Sequence, residues 1–245
     1  MNELSTPSQQ DWTPDVHADG GYADHRFDSI EESGDYTFSD KLALLSGRGS
    51  LDAETISLLL SELLSQHVQN AKRGIAFCGA SKDTGCSYMA ANIAVAMALS
   101  GVRTILVDAN MRDPAVQDYI APVSDRGGLL QCLSDEYTTL QHVVHHDVIP
   151  NLSVLYAGGV SNDAGLLASK NADAVFSDCL RDYACTIVDT APANRSSDAV
   201  RIANMVRYTL IVARKDKSFV ADIKKLAGDI RQNNGEILGT FLNAY

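Results

Sequence analysis

Three short stretches of this chain bring small, hydroxylated and acidic residues together at spacings that serve phosphate and metal chemistry. The first is Ala80-Ser81-Lys82-Asp83-Thr84-Gly85-Cys86-Ser87, which follows an apolar run and precedes a helical pattern. Set against G-x-x-x-x-G-K-[ST], it keeps the second glycine (Gly85) and the terminal hydroxyl (Ser87), but Ala80 stands at the first glycine and Cys86 at the lysine. In a working loop of this kind, backbone N–H groups and the helix N-terminus cradle phosphates, the lysine reaches the β and γ oxygens, and the hydroxyl holds Mg²⁺. Here that cation is missing, and Asp83 adds a carboxylate where anions would be received. Losing one charge-assisted phosphate contact costs about 2–3 kcal/mol, a thirtyfold to more than hundredfold loss of affinity. Taken alone, the loop fits an ordinary strand-to-helix turn equally well.

Two acids decide between those readings. Thr104-Ile105-Leu106-Val107 runs into Asp108-Ala109-Asn110-Met111-Arg112-Asp113-Pro114, and Cys185-Thr186-Ile187-Val188 into Asp189-Thr190-Ala191-Pro192. An acid at the carboxyl end of a buried strand is costly to desolvate, so two of them beside a phosphate-type loop favour metal or phosphate chemistry. Other candidates are weaker. Lys82 either swings toward the phosphates or is a solvated loop lysine, and the second is favoured because its stem starts from the loop. Cys86 at a helix N-terminus is either a low-pKa redox thiol or, the favoured reading, a neutral loop residue. His142, His145 and His146 resemble a metal cluster in spacing only and read as a polar surface turn.

The elements that position these groups are legible in the hydrophobic pattern. Ile56, Leu59, Leu60, Leu63, Leu64 and Val68 recur at helical spacing, and residues 88–99 form a second helical segment. Apolar runs at 74–78, 104–107, 152–156, 185–188, 209–213 and 237–242 alternate with helical stretches, as strands of a parallel sheet buried on both faces do. The expected fold class is therefore α/β, a doubly wound, mostly parallel sheet with ligands at the carboxyl ends of its strands.

Composition sets the outer limits. The 245 residues suit one α/β domain at 51–245 with an appended tail at 1–50, which carries ten acids against three bases. So acidic and sparsely aliphatic a tail is expected to be disordered; alternatively Trp12, Tyr22, Tyr36, Phe38 and 42–45 are docking points that order on a partner. A net charge of −11 leaves no basic stripe for nucleic acid or anionic lipid. Without a signal pattern or an apolar run long enough to span a bilayer, a cytoplasmic location is expected. Five scattered cysteines without C-x-x-C spacing read as reduced thiols.

From about residue 52 to 243 the chain resembles the bacterial tyrosine autokinases of capsule and exopolysaccharide synthesis, relatives of the MinD and ParA ATPases. Asp108, Asn110, Arg112 and Pro114 match D-x-D-x-R-x-P with one substitution, and 189–192 is similar to D-T-P-P. Residues 151–158 look like N-L-x-V-L-x-A-G, 162–167 like N-P-x-E-L-L, and 237–243 like I-L-G-V-V-L-N. The resemblance implies a P-loop NTPase fold and a site for ATP or ADP with Mg²⁺. It implies that Lys82, Asp83, Thr84, Gly85, Cys86, Ser87, Asn110 and Arg112 line the nucleotide, that Ser87 and Asp189 hold the metal, and that Asp108 is the base for an attacking tyrosine. It also implies a membrane-embedded polysaccharide co-polymerase or an active tyrosine kinase as partner, with attachment at the inner membrane through that partner.

The departures run one way. Cys86 replaces the lysine, Asn110 the second acid, and the helix that carries E-x-x-R-x-x-R in the family keeps Glu54 but has Ser57 and Leu60, which puts homo-oligomeric ring assembly in doubt. Active members end in a tyrosine cluster, where this chain has Tyr245 alone. Ser81 occupies the position of the MinD and ParA signature lysine. The expectation is a regulatory pseudokinase; the alternative is an active autokinase using Lys82, Asp108 and Asp189, with Tyr22, Tyr36 or Tyr245 as acceptor.

Overall fold

Strands that are largely apolar and buried at every position need cover on both faces, and here they occupy the middle of the sheet. The computed structural model describes residues 35–46, 50–124 and 126–244, which belong to one folded unit, residues 32–245. A short strand β1 (Tyr36–Phe38) and a helical turn α1 (Ala43–Ser46) lead to α2 (Leu51–Gln66), β2 (Gly74–Gly79) and α3 (Cys86–Leu99). Next come β3 (Thr104–Asp108), β4 (Ile120–Pro122), α4 (Leu129–Ser134), α5 (Leu140–Val143), β5 (His145–Ile149) and β6 (Leu152–Leu155). Then follow α6 (Lys170–Asp182), β7 (Cys185–Asp189), α7 (Asp198–Val206), β8 (Tyr208–Arg214), α8 (Val220–Gln232) and β9 (Glu236–Asn243).

The main sheet has the order β5-β6-β3-β7-β2-β8-β9 and is parallel except for the β5–β6 pair. Every residue of β2, β3, β6 and β7 is buried. α3 lies against β2, β3 and β7, with α2 packed on it. Its run of alanines, Ala90, Ala91, Ala94, Ala96 and Ala98, keeps the helix thin. The other face carries the larger core, in which Ile105, Val107 and Val188 meet Leu129, Phe176, Ile202 and Ile230 from α4 and α6–α8. α2 starts where the Ser50 hydroxyl accepts a hydrogen bond from the Ala53 N–H at 3.1 Å, with Asp52 and Glu54 in its first turn. It buries Ala53, Ile56 and Leu63 along one stripe.

All six expected strands and both expected helices are present, and the doubly wound α/β class is borne out. β5 was not expected, because its first residues read as polar: His146 and Asp147 are exposed, the pairing with β6 is irregular, and Asp147 sits at φ 49°. The His-rich stretch is therefore an edge strand rather than a surface turn. Among the described residues no group of three His, Cys, Asp or Glu side chains could hold a metal. His145 is buried and its Nδ1 lies 3.1 Å from the Tyr36 hydroxyl, while His142 folds back on Thr139 at the start of α5.

Residues 35–46, which composition assigns to the acidic tail, are built into this unit. β1 pairs antiparallel with β4, and Leu42 and Ala43 are buried. The docking expected of Tyr36, Phe38 and 42–45 is thus made within the chain. Trp12 and Tyr22, like the rest of 1–34, lie outside the described residues. The strap is fixed by Asn92 of α3. Its Oδ1 accepts from the Ala43 N–H at 2.8 Å, and its Nδ2 donates to the Lys41 carbonyl at 3.2 Å and the Tyr88 carbonyl at 2.9 Å. Replacing Asn92 by Ala leaves a buried N–H without an acceptor, which costs about 1–3 kcal/mol. Urea denaturation should register that loss, and hydrogen exchange should quicken at residues 41–46 while β2 and β3 stay protected.

Candidate functional site

Asp108 and Asp189 end neighbouring parallel strands and lie directly opposite one another in register. Both are buried, at 1% and 0% exposure. Asp108 meets the problem with backbone donors: its Oδ1 accepts from the Asn110 N–H at 3.1 Å, and its Oδ2 from the Ala115 and Val116 N–H groups, each at 3.0 Å. The turn after β3 therefore wraps around this carboxylate. Asp189 has no such help, and both of its carboxylate oxygens are buried without a hydrogen-bond partner. The Ser87 hydroxyl and the Thr190 N–H face it without closing a hydrogen bond. Burial pushes both carboxyls above the usual range, and the neighbouring Asp108 charge pushes Asp189 further. A pair of this kind shares a proton or takes a cation.

The loop beside the pair turns tightly into α3. Gly85 caps α3 at φ 94°, in the left-handed region, and a Cβ there would lie 2.5 Å from the Asn243 Nδ2. The Ala193 and Asn194 N–H groups bond the carbonyls of Gly79 and Ala80, tying the segment after β7 to the loop's start. Cys86 turns inward, its Sγ 3.4 Å from the Thr84 Oγ1. Burial, and then the Asp189 charge, raise this thiol well above its ordinary pKa. It stays protonated at neutral pH, in line with the favoured reading of a neutral loop residue rather than a redox thiol. The other four cysteines are buried, and none is paired.

The remaining candidates are engaged elsewhere. Lys82 forms a half-exposed ion pair with Asp113 at 2.6 Å. Asp83, in the left-handed region at φ 59°, pairs with Lys217 at 2.7 Å, and the hydrogen bond from Lys217 holds its carboxyl below the usual range. Arg112 is a strut: its Nε donates to Asp198 at 3.0 Å and its Nη1 to the Asn162 Oδ1 at 3.3 Å. Asn110 donates through Nδ2 to the Asp113 carbonyl at 2.7 Å, while its Oδ1 is buried and unpartnered. The structure thus brings Thr84, Gly85, Cys86, Ser87, Asp108 and Asp189 together, and it commits Lys82 and Arg112 to acids outside that group. A cavity of about 560 Å³, lined by Arg103, His146, Ser153 and Tyr183 among others, lies at the opposite, amino-terminal ends of the strands.

Two residues at the loop, Arg214 and Lys217, were not singled out from sequence, and Asn243 entered only as the end of the 237–243 match. The Arg214 Nη1 donates to the Asp83 carbonyl at 3.1 Å, and the Asn243 Nδ2 to the Thr84 carbonyl at 3.3 Å. The available signal was position, since Arg214 and Asn243 end strands β8 and β9 at the ligand-binding edge of the sheet.

Two halves of a nucleotide site can be compared with what is present. The unpartnered Asp189 oxygens with the Ser87 hydroxyl suit a hard divalent cation. The position that should hold a phosphate-binding lysine holds a buried thiol, and that half does not fit.

No family model matches the chain. Its homologues are named bacterial tyrosine-protein kinases, as the motifs suggested. CapB of Staphylococcus aureus is 29% identical over 184 residues, 75% of this chain and 80% of CapB. CpsD of Streptococcus pneumoniae is 28% identical over 160 residues, 65% of this chain and 70% of CpsD. The succinoglycan biosynthesis transport protein ExoP of Rhizobium meliloti is 27% identical over 235 residues, 93% of this chain but 29% of that longer protein. Among solved structures, the chimerical protein CapA2B2 aligns with a TM-score of 0.74 at 24% identity, covering 84% of this chain and 90% of that one. The kinase domain of Escherichia coli tyrosine kinase ETK aligns at 0.71 and 23%, covering 78% and 74%. The Pyrococcus furiosus cell division ATPase MinD aligns at 0.59 and 22%, covering 71% and 73%. These structures carry the fold, a P-loop NTPase sheet. Among the described residues no helix is long and apolar enough to cross a membrane.

The acid pair gives a pH-dependent stability. Because the folded Asp189 binds its proton more tightly than the unfolded chain does, the metal-free protein loses stability as pH rises through the raised pKa. Asp189→Asn should therefore melt higher at pH 8, by about 2–4 °C for each ~1 kcal/mol relieved in a chain of this length. That advantage should shrink as pH falls toward the ordinary carboxylate range. Added Mg²⁺ should stabilise the wild type and leave the variant unmoved in thermal denaturation.

Proposed function

We propose that this chain is a tyrosine-autokinase-like regulatory protein of capsule or exopolysaccharide synthesis, a pseudokinase that binds nucleotide weakly and acts by contact. The observation that carries the reading is Cys86. A protonated thiol, folded onto Thr84 and facing Asp189, stands where phosphoryl transfer needs a cation. Nearby cations do not substitute in the structure: Lys82 is on Asp113 and Lys217 on Asp83. Asp108, the inherited base, has its oxygens on three backbone donors. The homologues' names support the pathway; the loss of chemistry is argued from these residues.

ATP with Mg²⁺ would supply the transferable phosphoryl group. This chain's own residues would do less with it than an active loop does. Ser87 and Asp189 would hold the metal, and the N–H groups from Gly85 onward would meet phosphate oxygens. A partner in the form of a membrane-embedded polysaccharide co-polymerase, or of an active kinase, follows from the same reading and locates the protein at the inner membrane through that partner. On α2, Glu54 and Ser57 are exposed, and the Ser57 hydroxyl is turned onto the Ala53 carbonyl, which removes the arginine contact from which family rings are assembled.

One observation favours a second reading, an active autokinase: the unpartnered oxygens of Asp189 keep the metal half of the site intact. Of the acceptors named for it, Tyr22 and Tyr245 lie outside the described residues and Tyr36 is held on His145. Calorimetric titration with ATP and Mg²⁺ separates the two. Weak wild-type binding without phosphotyrosine is expected, and Cys86→Lys should tighten binding about thirtyfold to a hundredfold. Tight wild-type binding that is lost in Asp189→Ala, with phosphotyrosine forming on the chain, would establish the autokinase instead.

A further inference from the structure

The β8–α8 turn faces the phosphate loop and is tied to it at two points, with the end of β9 adding a third. The Arg214 guanidinium donates to the Asp83 carbonyl at 3.1 Å, the Lys217 ammonium pairs with the Asp83 carboxylate at 2.7 Å, and the Asn243 amide donates to the Thr84 carbonyl at 3.3 Å. The turn itself is braced. The Arg214 N–H donates to the Ser218 hydroxyl at 2.9 Å, the Ser218 N–H returns to the Arg214 carbonyl at 2.9 Å, and the Lys215 N–H bonds the Asn243 carbonyl at 2.8 Å. Two cations are thereby held against the fourth residue of a loop that has lost its own lysine. The group that engages both of them, Asp83, sits at φ 59°, a conformation that few side chains adopt and Asp tolerates better than most.

From this arrangement we infer that the 214–218 turn is the cationic cover of the phosphate loop, with Lys217 and Arg214 as ligands for a polyphosphate and Asp83 as the internal anion that occupies Lys217 when no phosphate is bound. The inference rests on the reading of this loop as a weakened nucleotide site, and deepens it by naming the residues that set the affinity. A carboxylate and a phosphate oxygen compete for the same ammonium. The ion pair is about half exposed on both sides, so it is weak enough to exchange for a more highly charged ligand. A long lysine stem and a partly exposed arginine give the reach that a residue fixed on the first turn of α3 would otherwise supply. Lys82 is paired with Asp113 on the other side of the loop, and its charge acts on Asp83 only after that of Lys217.

Three full-length variants test the inference: Asp83→Asn, Lys217→Met and the two combined, each titrated calorimetrically with inorganic tripolyphosphate and with Mg²⁺-ADP. Asp83→Asn should bind tripolyphosphate about tenfold more tightly than wild type, Lys217→Met at least tenfold more weakly, and the double variant should show no gain over Lys217→Met. Tripolyphosphate isolates the phosphate contacts from any made to base or sugar. If the Asp83→Asn gain persists in full without Lys217, the carboxylate acts by simple repulsion and the cover is ruled out. If Asp83→Asn brings no gain, the inference also falls, while the pseudokinase reading stands. Tight wild-type binding of Mg²⁺-ADP, unchanged in all three variants, would overturn both. Thermal denaturation of the ligand-free variants checks that each is folded.

Discussion

Two carboxylates stand side by side at the tips of adjacent parallel strands, and the fold excludes water from both. Neighbouring strands lie about 4.8 Å apart, so the in-register pairing of Asp108 with Asp189 leaves the chain no means of separating them. Much of the surrounding architecture answers that constraint. The turn after β3 closes around Asp108 with three N–H donors, and the segment after β7 is stitched to the start of the phosphate loop. What is left unanswered is Asp189, whose oxygens wait for a cation while a hydroxyl looks on from Ser87. A buried, unpaired acid is expensive to keep for packing alone. Placed beside Ser87 at the start of α3, Asp189 is the group whose burial a bound cation would relieve.

Against that background, Cys86 changes the electrostatics more than the shape. A thiol sits beside Thr84, but it returns no positive charge to a region already holding two acids. The charges that surround the loop are balanced pairwise at its rim, Lys82 with Asp113 and Lys217 with Asp83, rather than within it. The Lys82 and Lys217 ammonium groups are thus each already paired with an acid. On the reading proposed above, contact would persist while the barrier to phosphoryl transfer stays high.

Much of the fold was legible in the sequence because its central strands are short, largely apolar runs and α2 repeats apolar residues at helical spacing. The parallel core, the loop and the two strand-end acids followed directly. The misses have physical causes. β5 opens with His145, His146 and Asp147, polar residues on an irregular edge that no alternation rule picks out. β1 and α1 sit in an acidic, serine-rich stretch whose order depends on Leu42, Ala43 and one amide on a helix fifty residues away. Within the site, residue types pointed to phosphate and metal, but only the geometry showed that Arg112 braces α7 and that Arg214, Lys217 and Asn243 reach the loop. The contacts of Arg214, Lys217 and Asn243 join segments more than a hundred residues apart, and that of Arg112 with Asp198 spans 86, so local spacing does not reveal them.

The strap has a consequence for how the molecule assembles itself on a ribosome. Tyr36 pairs with Pro122 and reaches His145, and Ala43 is held by Asn92, so the earliest described residues to emerge have no place to go until long after they are made. Synthesis proceeds at roughly 5–20 residues per second, which leaves them waiting for seconds until those partners are made. The strap docks only once the strand and helix beneath it have been completed, and it can do so before β7, β8 and β9 are translated.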